Sequence, residues 1–329
     1  MNLDLIQKIA QVNLLGRGGA AFPTAKKWEM VKNEPGKQKY VICNVSEGEP
    51  KVYKDGYILE NYPQELISGI LLAMKTIGGS AKGFLYLRKD YYQKYQEKFL
   101  KIIGSAPIEI FCEPGGYLGG DESAACEAIE GRCTEPRQKP PYPTQKGLWG
   151  CPTLINNAET LYYVDKIFKN SYKNTRLYSV NGNVEKSGVY EFNVDLTIAQ
   201  VLKENCNFPK IDFFVQVGGG ASGRILLANE LDQPVSGAGS ITVYDQKKTD
   251  PYQLMQEWSE FFVRENCDKC TPCREGTLRI REMVAKKKLE VKVLQDLFFV
   301  LEQTSFCSLG KSVPTPFYDL LTKVMGIKL

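Results

Sequence analysis

The sequence predicts an α/β fold: a layered, largely parallel sheet, followed by a small β-rich region and a helical end. Three observations predict it. Up to about residue 170, apolar runs of strand length alternate with segments of helical spacing. From about Asn174 to Asp245 the runs become short strands with one helix among them. From Pro251 onward the periodicity is helical.

In the first region, residues 3–14 read as a short amphipathic helix, and Pro23 opens a second helix through Lys27 and Trp28. Residues 39–44 and 83–88 are apolar, aromatic runs of strand length, while 63–77 and 90–103 have helical spacing. Gly-Gly-Tyr-Leu-Gly-Gly (115–120) leads into a helix over 121–129, and 157–168 forms another. In the β-rich region, strands are expected at 176–181, 188–192, 212–217 and 240–244, with a helix at 197–204. The last region reads as helices over 252–265, 276–287 and 289–303. The expected domains are therefore 1–172, 173–248 and 249–329.

Composition excludes several function classes. The chain has 329 residues, 43% hydrophobic and 24% charged, which is ordinary globular usage. Its net charge of +4 is spread along the chain, unlike the basic face or tail of a nucleic-acid binder. The N-terminus lacks the basic and apolar segments of a signal peptide. The longest apolar stretch, near residues 66–74, is interrupted by Ser68 and Gly69 and is too short to span a bilayer, so a soluble cytoplasmic protein is expected. Histidine is absent, which removes His-based acid–base catalysis, Ser–His and Cys–His nucleophiles, and histidine metal ligation.

The chain has ten cysteines, and without a signal peptide they do not read as a disulfide framework. Cys43, Cys112, Cys126, Cys133, Cys151 and Cys206 are scattered and read as buried thiols. The other four form Cys267-Asp-Lys-Cys270-Thr-Pro-Cys273, with Cys307 much later. A cubane iron–sulfur cluster needs four thiolates converging from different directions. Three cysteines in a non-helical loop can wrap three corners, with Pro272 keeping the preceding helix from running on. A helical hairpin with arms of about 22 Å would then return Cys307 to that loop. Structural zinc is the competing reading, but zinc sites usually come as two separate Cys-x2-Cys knuckles.

The remaining motifs are ambiguous one at a time. Gly16-Arg17-Gly18-Gly-Ala-Ala21 matches a dinucleotide fingerprint in letters, but a helix rather than a strand precedes it, so that reading is rejected. Such a loop before a helix can still hold a phosphate or flat ring through backbone N–H groups, or be a simple turn. Asn44-Val-Ser-Glu47-Gly-Glu49-Pro50 follows a strand, where α/β proteins place ligand loops. Gly120-Asp121-Glu122 reads as a helix cap or a ligand contact, and Tyr142 in Pro-Pro-Tyr-Pro as a stacking platform or a surface turn. Asn156-Asn157 reads as a cap or a row of polar donors.

Taken together, these segments resemble the flavin- and NADH-binding subunit of respiratory NADH:quinone oxidoreductase (complex I) and its relatives in NAD-linked hydrogenases and formate dehydrogenases. The resemblance is carried by residues 16–28, 43–50, 119–123, 136–143 and 150–160 and by the four cysteines, in order along nearly the whole chain. It implies a Rossmann-like FMN-binding α/β domain, a ubiquitin-like β-grasp domain and a C-terminal helical bundle with a [4Fe–4S] cluster. It implies that FMN is held around Gly16, Arg17, Gly18, Lys27, Asn44, Tyr117, Gly120, Asp121, Ile155, Asn156, Asn157 and Thr160. NADH would stack on Phe22 and Tyr142, with Glu47, Glu49 and Glu122 orienting it over the flavin. No protein acid or base is implied, because hydride transfer depends on proximity and ring alignment.

The implied role is to pass electrons from NADH through FMN and the cluster to a thioredoxin-like [2Fe–2S] subunit and a larger iron–sulfur subunit. That places the chain in the cytoplasm, at the edge of a membrane complex, with no span of its own and no nucleic-acid partner. The chain departs from the family pattern at Ser46, where Asp is usual, at Asp121, where Glu is usual, and at Met30, where the family has an aromatic residue. Its Cys273–Cys307 segment is also shorter than in most members. These departures keep open a second reading, a flavin and iron–sulfur conduit that no longer binds NADH.

Overall fold

The computed structural model describes residues 4–205 and 207–329; Leu3 and Cys206 lie outside the described residues. The chain forms two compact units: residues up to Gly48 with Tyr53–Leu177, and Glu49–Val52 with Tyr178–Leu329.

The first unit begins with α1 (Leu5–Gln11) and α2 (Thr24–Asn33), followed by β1 (Tyr40–Val45), α3 (Lys54–Asn61) and α4 (Pro63–Ile77). It continues through β2 (Lys82–Leu87), α5 (Lys89–Ile103), β3 (Ile108–Cys112), α6 (Glu122–Ile129) and α7 (Pro143–Lys146), and closes with β4 (Thr153–Asn157) and α8 (Ala158–Phe168). The four strands are parallel, in the order β3-β2-β1-β4. β1 is covered on both faces, with Val41, Ile42, Cys43 and Val45 fully buried, which is why it reads as one apolar run rather than an alternation. Strand order builds outward from β1 through β2 to β3, then returns to place β4 on β1's other side. That reversal leaves a crevice at the carboxyl ends of β1 and β4, where Asn44 pairs in register with Asn157.

Helix α4 is opened by Pro63 and buries Leu66, Ile67, Ile70, Ala73, Met74 and Ile77 on one stripe. It packs against α8, and their closest approach needs Gly69, since a Cβ there would lie 2.2 Å from the Leu161 carbonyl oxygen. Lys39 ties the same layer together: its buried Nζ donates to the carbonyls of Val31 (2.8 Å) and Lys32 (2.7 Å) at the end of α2, and of Ile77 (3.3 Å) at the end of α4.

β5 (Thr175–Gly182) enters the second unit at Tyr178, and that unit also contains β6 (Gly188–Asn193), α9 (Ile198–Glu204), β7 (Phe213–Val217), β8 (Arg224–Leu227) and β9 (Ser240–Asp245). These strands form a sheet in the order β6-β5-β9-β7-β8, with β5 and β9 parallel and β7 antiparallel to both β8 and β9. α9 covers it, and Ile198, Val201 and Leu202 share a core with Tyr178, Val215 and Val243. Then follow α10 (Pro251–Glu265), α11 (Thr271–Ala285), α12 (Val291–Thr304), α13 (Ser308–Ser312) and α14 (Pro314–Asp319), with a π-helical turn at Leu320–Val324.

The structure corrects several expectations. Strands β3, β4 and β8 and helices α3, α7, α13 and α14 lie outside the elements the sequence predicts. β4 is short and ends in two asparagines, and α3 has no side-chain cap of its own at Tyr53. Asn157 is the last residue of β4 and caps α8 rather than starting that helix. Finally, α11 begins at Thr271 rather than Gly276, so Cys273 lies in a helix and Pro272 sits in that helix's first turn. Pro272 therefore starts a helix instead of stopping one. Replacing Gly69 with Ala should force α4 away from α8 and destabilise the chain by about 1–3 kcal/mol, read as a lower urea midpoint.

Candidate functional site

The glycine loop is a closed loop between two helices. Gly16 N donates to Phe22 O at 2.9 Å, Leu15 and Pro23 form a β-bridge, and Thr24 N donates to Leu14 O at 3.0 Å. α1 precedes it, so it is not a strand–turn–helix fingerprint. The turn uses Gly19 at φ 114° and Ala21 at φ 52°, the second a strained conformation for a residue with a Cβ. The loop is seated on the first turn of α8. Arg17 N donates to Thr160 Oγ1 at 2.9 Å, and a Cβ on Gly18 would lie 3.3 Å from the Cβ of Asn157. The Arg17 guanidinium turns inward, donating to the Tyr172 hydroxyl at 3.3 Å and lying 5.9 Å from the Tyr163 ring.

The carboxyl ends of β1 and β4 bring up most of the other expected residues. Asn44 Nδ2 donates to Gly120 O at 2.9 Å, joining β1 to the turn Tyr117–Gly120. A Cβ on Gly48 would come within 3.0 Å of the Tyr117 Cα, so this loop rests on that turn. Trp28, fully buried, donates its indole N–H to Asn156 Oδ1 at 2.9 Å. Lys27 Nζ donates to Ile155 O at 3.1 Å, forms an ion pair with Glu122, and lies 5.9 Å from the Phe22 ring. Asn157 Oδ1 accepts from Glu159 N at 3.0 Å, the cap foreseen as one of its two roles.

Asp121 takes the cap that was one of its two expected roles, and other residues are committed within the protein. Asp121 caps α6, accepting from Ser123 N (2.8 Å) and Ala124 N (3.1 Å), and pairs with Lys139 at 3.1 Å. Burial opposes its charge, but Lys139 and the Ser123 bonds outweigh burial and hold its carboxyl below the usual range. Glu47, at φ 39°, points its carboxylate at the start of α3, accepting from Asp55 N (2.6 Å), Gly56 N (3.1 Å) and the Tyr91 hydroxyl (2.5 Å). It is thus the cap that α3 lacks locally, and its own carbonyl accepts from Arg88 Nη1 at 2.6 Å. Burial, then repulsion from Asp55, pushes its carboxyl up to about 8, against the pull of Lys54 and Tyr91. Glu49 belongs to the second unit, where its carboxylate accepts from Ala221 N and Ser222 N, both at 2.9 Å. Phe22, Met30 and Tyr142 each expose more than a third of their surface. Lys139, which sequence reasoning passed over, stands out only through its pairing with Asp121.

One polar group at the crevice is left unused: Ser46 Oγ, just after β1 and 3.5 Å from where a Cβ on Gly120 would lie, is buried without a hydrogen-bond partner among the described residues. Amide side chains, hydroxyls, a glycine loop and one lysine suit a flat polar heterocycle carrying a phosphate, and FMN fits that donor set.

The four cysteines sit in the second unit. Cys267 follows α10, Cys270 is the N-cap of α11, Cys273 lies in that helix's first turn, and Cys307 is the N-cap of α13. The hairpin arms α11 and α12 close on Gly276, where a Cβ would lie 3.2 Å from Leu301. α13 then comes back against α11, since a Cβ on Gly310 would lie 3.2 Å from the Cys273 Cβ. Burial, then the neighbouring thiols of Cys270, Cys307 and Cys267, push the Cys273 thiol up to about 12.

Residues 9–166 match the Nuo51 FMN-binding domain family, and residues 253–325 match the NADH-ubiquinone oxidoreductase-F iron-sulfur binding region. An NADH-quinone oxidoreductase subunit of Aquifex aeolicus is 33% identical over 347 residues, covering 93% of this chain and 81% of that protein. The chain belongs to this family of NADH-quinone oxidoreductase subunits. The HoxS alpha subunit of the NAD-reducing hydrogenase of Cupriavidus necator is also 33% identical, over 97% of this chain, and the chain spans 59% of that protein's length. The crystal structure of an air-oxidized NAD+-reducing [NiFe]-hydrogenase superposes with a TM-score of 0.89 at 32% identity, over 97% of this chain and 60% of that one. As a member of the family, the chain is an NADH dehydrogenase-type flavoprotein subunit whose cofactors are FMN and a [4Fe–4S] cluster.

The raised carboxyl of Glu47 has a consequence for stability. The folded chain holds that proton more tightly than the unfolded one, so its contribution is fully present below the ordinary carboxyl value of 4.5 and is lost as pH rises toward about 8. Glu47→Gln should flatten this decline, measured as urea midpoints across that pH range.

Proposed function

We propose that this chain oxidises NADH and delivers the electrons, through FMN and a [4Fe–4S] cluster on Cys267, Cys270, Cys273 and Cys307, to other subunits of a redox complex. The observation that carries the reading is the convergence of the glycine loop, Lys27, Asn44, Asn156 and Thr160 where strand order reverses. Lys27 and the loop N–H groups suit the phosphate, and Asn44, Asn156 and Ser46 suit the polar edge of the ring. Phe22 and Tyr142 offer exposed rings for a nucleotide to stack on. When bound, FMN takes two electrons together and releases them singly to a one-electron cluster. The protein's part is to hold and align, which needs none of the histidines the chain lacks.

The second sheet supports a β-grasp reading, with a central parallel pair, the order β6-β5-β9-β7-β8 and one helix across it. On this view the working divisions are 1–172, 173–248 and 249–329. The relatives are named as subunits of an NADH-quinone oxidoreductase and an NAD-reducing hydrogenase. The proposed partners are a thioredoxin-like [2Fe–2S] subunit and a larger iron–sulfur subunit. Among the described residues no helix is long and apolar enough to cross a membrane, and a cytoplasmic position at the edge of a complex is proposed. Met30 in place of an aromatic residue, and the commitment of Asp121 to a helix cap, favour the conduit as the second reading.

Anaerobic purification followed by addition of NADH separates the readings. The expected result is a flavin spectrum that bleaches with NADH. Flavin and iron that ignore NADH would establish the conduit, and zinc without iron would refute the cluster. Cys270→Ala should abolish the reduced-cluster EPR signal while FMN stays bound.

A further inference from the structure

Two residues outside every motif read from the sequence hold both lips of the crevice. On the β1 side, the backbone N–H of Asp55 donates to the Glu47 carboxylate at 2.6 Å. On the β4 side, Asp55 Oδ2 accepts from Asn157 Nδ2 at 2.7 Å, and Lys54 Nζ donates to Asn157 Oδ1 at 3.1 Å. The side chains of Lys54 and Asp55 are 2% and 3% exposed. Lys54 also pairs with Asp55 at 3.1 Å and with the fully buried Glu159 at 3.0 Å.

These contacts allow Asn157 one orientation. Flipping its amide would turn an N–H toward the Lys54 ammonium and an oxygen toward the Asp55 carboxylate. Asn157 in turn supports the glycine loop at Gly18. The line from α3 to the loop therefore runs through Asn157 at Gly18 and, beside it, from Glu159 to Thr160, which accepts from Arg17 N. A buried ion cluster is a poor device for stability, because apolar residues of the same volume usually serve as well. Here it also carries an unbalanced charge, two carboxylates against one ammonium, beside the crevice.

We propose that Lys54 and Asp55 are positioning residues that register the two lips of the flavin crevice and set the electrostatic potential at the flavin. This rests on the FMN reading above. Each charge then has a signed effect: a carboxylate opposes electron gain by the flavin, and the ammonium favours it.

The test uses the full chain with FMN bound, and reads the flavin midpoint potential, the FMN dissociation constant and the urea midpoint. Asp55→Asn keeps the shape and an acceptor for Asn157 but removes a negative charge, so the potential should rise. Lys54→Met should lower it. Asp55→Ala, which frees Asn157, should weaken FMN binding about tenfold or more. Should Lys54→Met not fold, the isosteric Glu159→Gln takes its place and should raise the potential, as Asp55→Asn does. Variants that change the urea midpoint but leave the flavin potential and FMN affinity at wild-type values would overturn the inference and leave the cluster a structural one. Wild-type protein that binds no FMN would instead overturn the reading on which it rests.

Discussion

A buried ammonium has no water to turn to, so Lys54 can exist inside the first unit only if protein acceptors surround it. Asp55, Asn157 and Glu159 are those acceptors, and they come from the start of α3, the end of β4 and the start of α8. Satisfying one charge therefore brings the start of α3 against the β4–α8 junction, two chain segments about a hundred residues apart. Glu159 extends the constraint by accepting from Leu177 N at 2.8 Å, beyond α8. The strand order supplies the crevice, and this charged cluster holds its rim in place.

The same logic accounts for where the other carboxylates near the crevice are committed. Glu47 was expected to orient a nucleotide, yet its carboxylate meets the uncapped start of α3, where two backbone N–H groups need an acceptor. Asp121 faces the same demand at the start of α6 and answers it locally. A carboxylate beside a helix N-terminus is drawn there by the N–H groups and the dipole, whatever else the site requires. Lys27, by contrast, meets a carbonyl and one carboxylate at the crevice, which leaves it suited to an anionic ligand.

Much of the fold was legible in the residues. α4 and α9 and most of the strands are local patterns: long apolar stripes, prolines at first turns, Thr197 ahead of a capping glutamine. What escaped reading depends on distant partners. α3 carries a glycine and lacks a local cap, so its reason to form lies at Glu47. β4 has only two apolar residues, Leu154 and Ile155, and is a strand because β1 lies beside it. Pro272 reads equally well as a helix stop and a helix start, since proline suits any first turn. Only the α11 contacts choose between them.

The sequence by itself determined the inventory: a thiol set spaced for a cluster, a glycine loop ahead of a helix, a chain without histidine, and the order of motifs that marks the family. Spacing and side-chain chemistry are local properties, so a sequence carries them in full. The tertiary structure alone decided which polar groups remain available to a ligand. Ser46 Oγ is left without a protein partner among the described residues, while Glu47, Asp121 and the Arg17 guanidinium are engaged elsewhere. That division follows from hydrogen-bond satisfaction in the folded chain, where a buried donor or acceptor takes whichever partner the fold brings near.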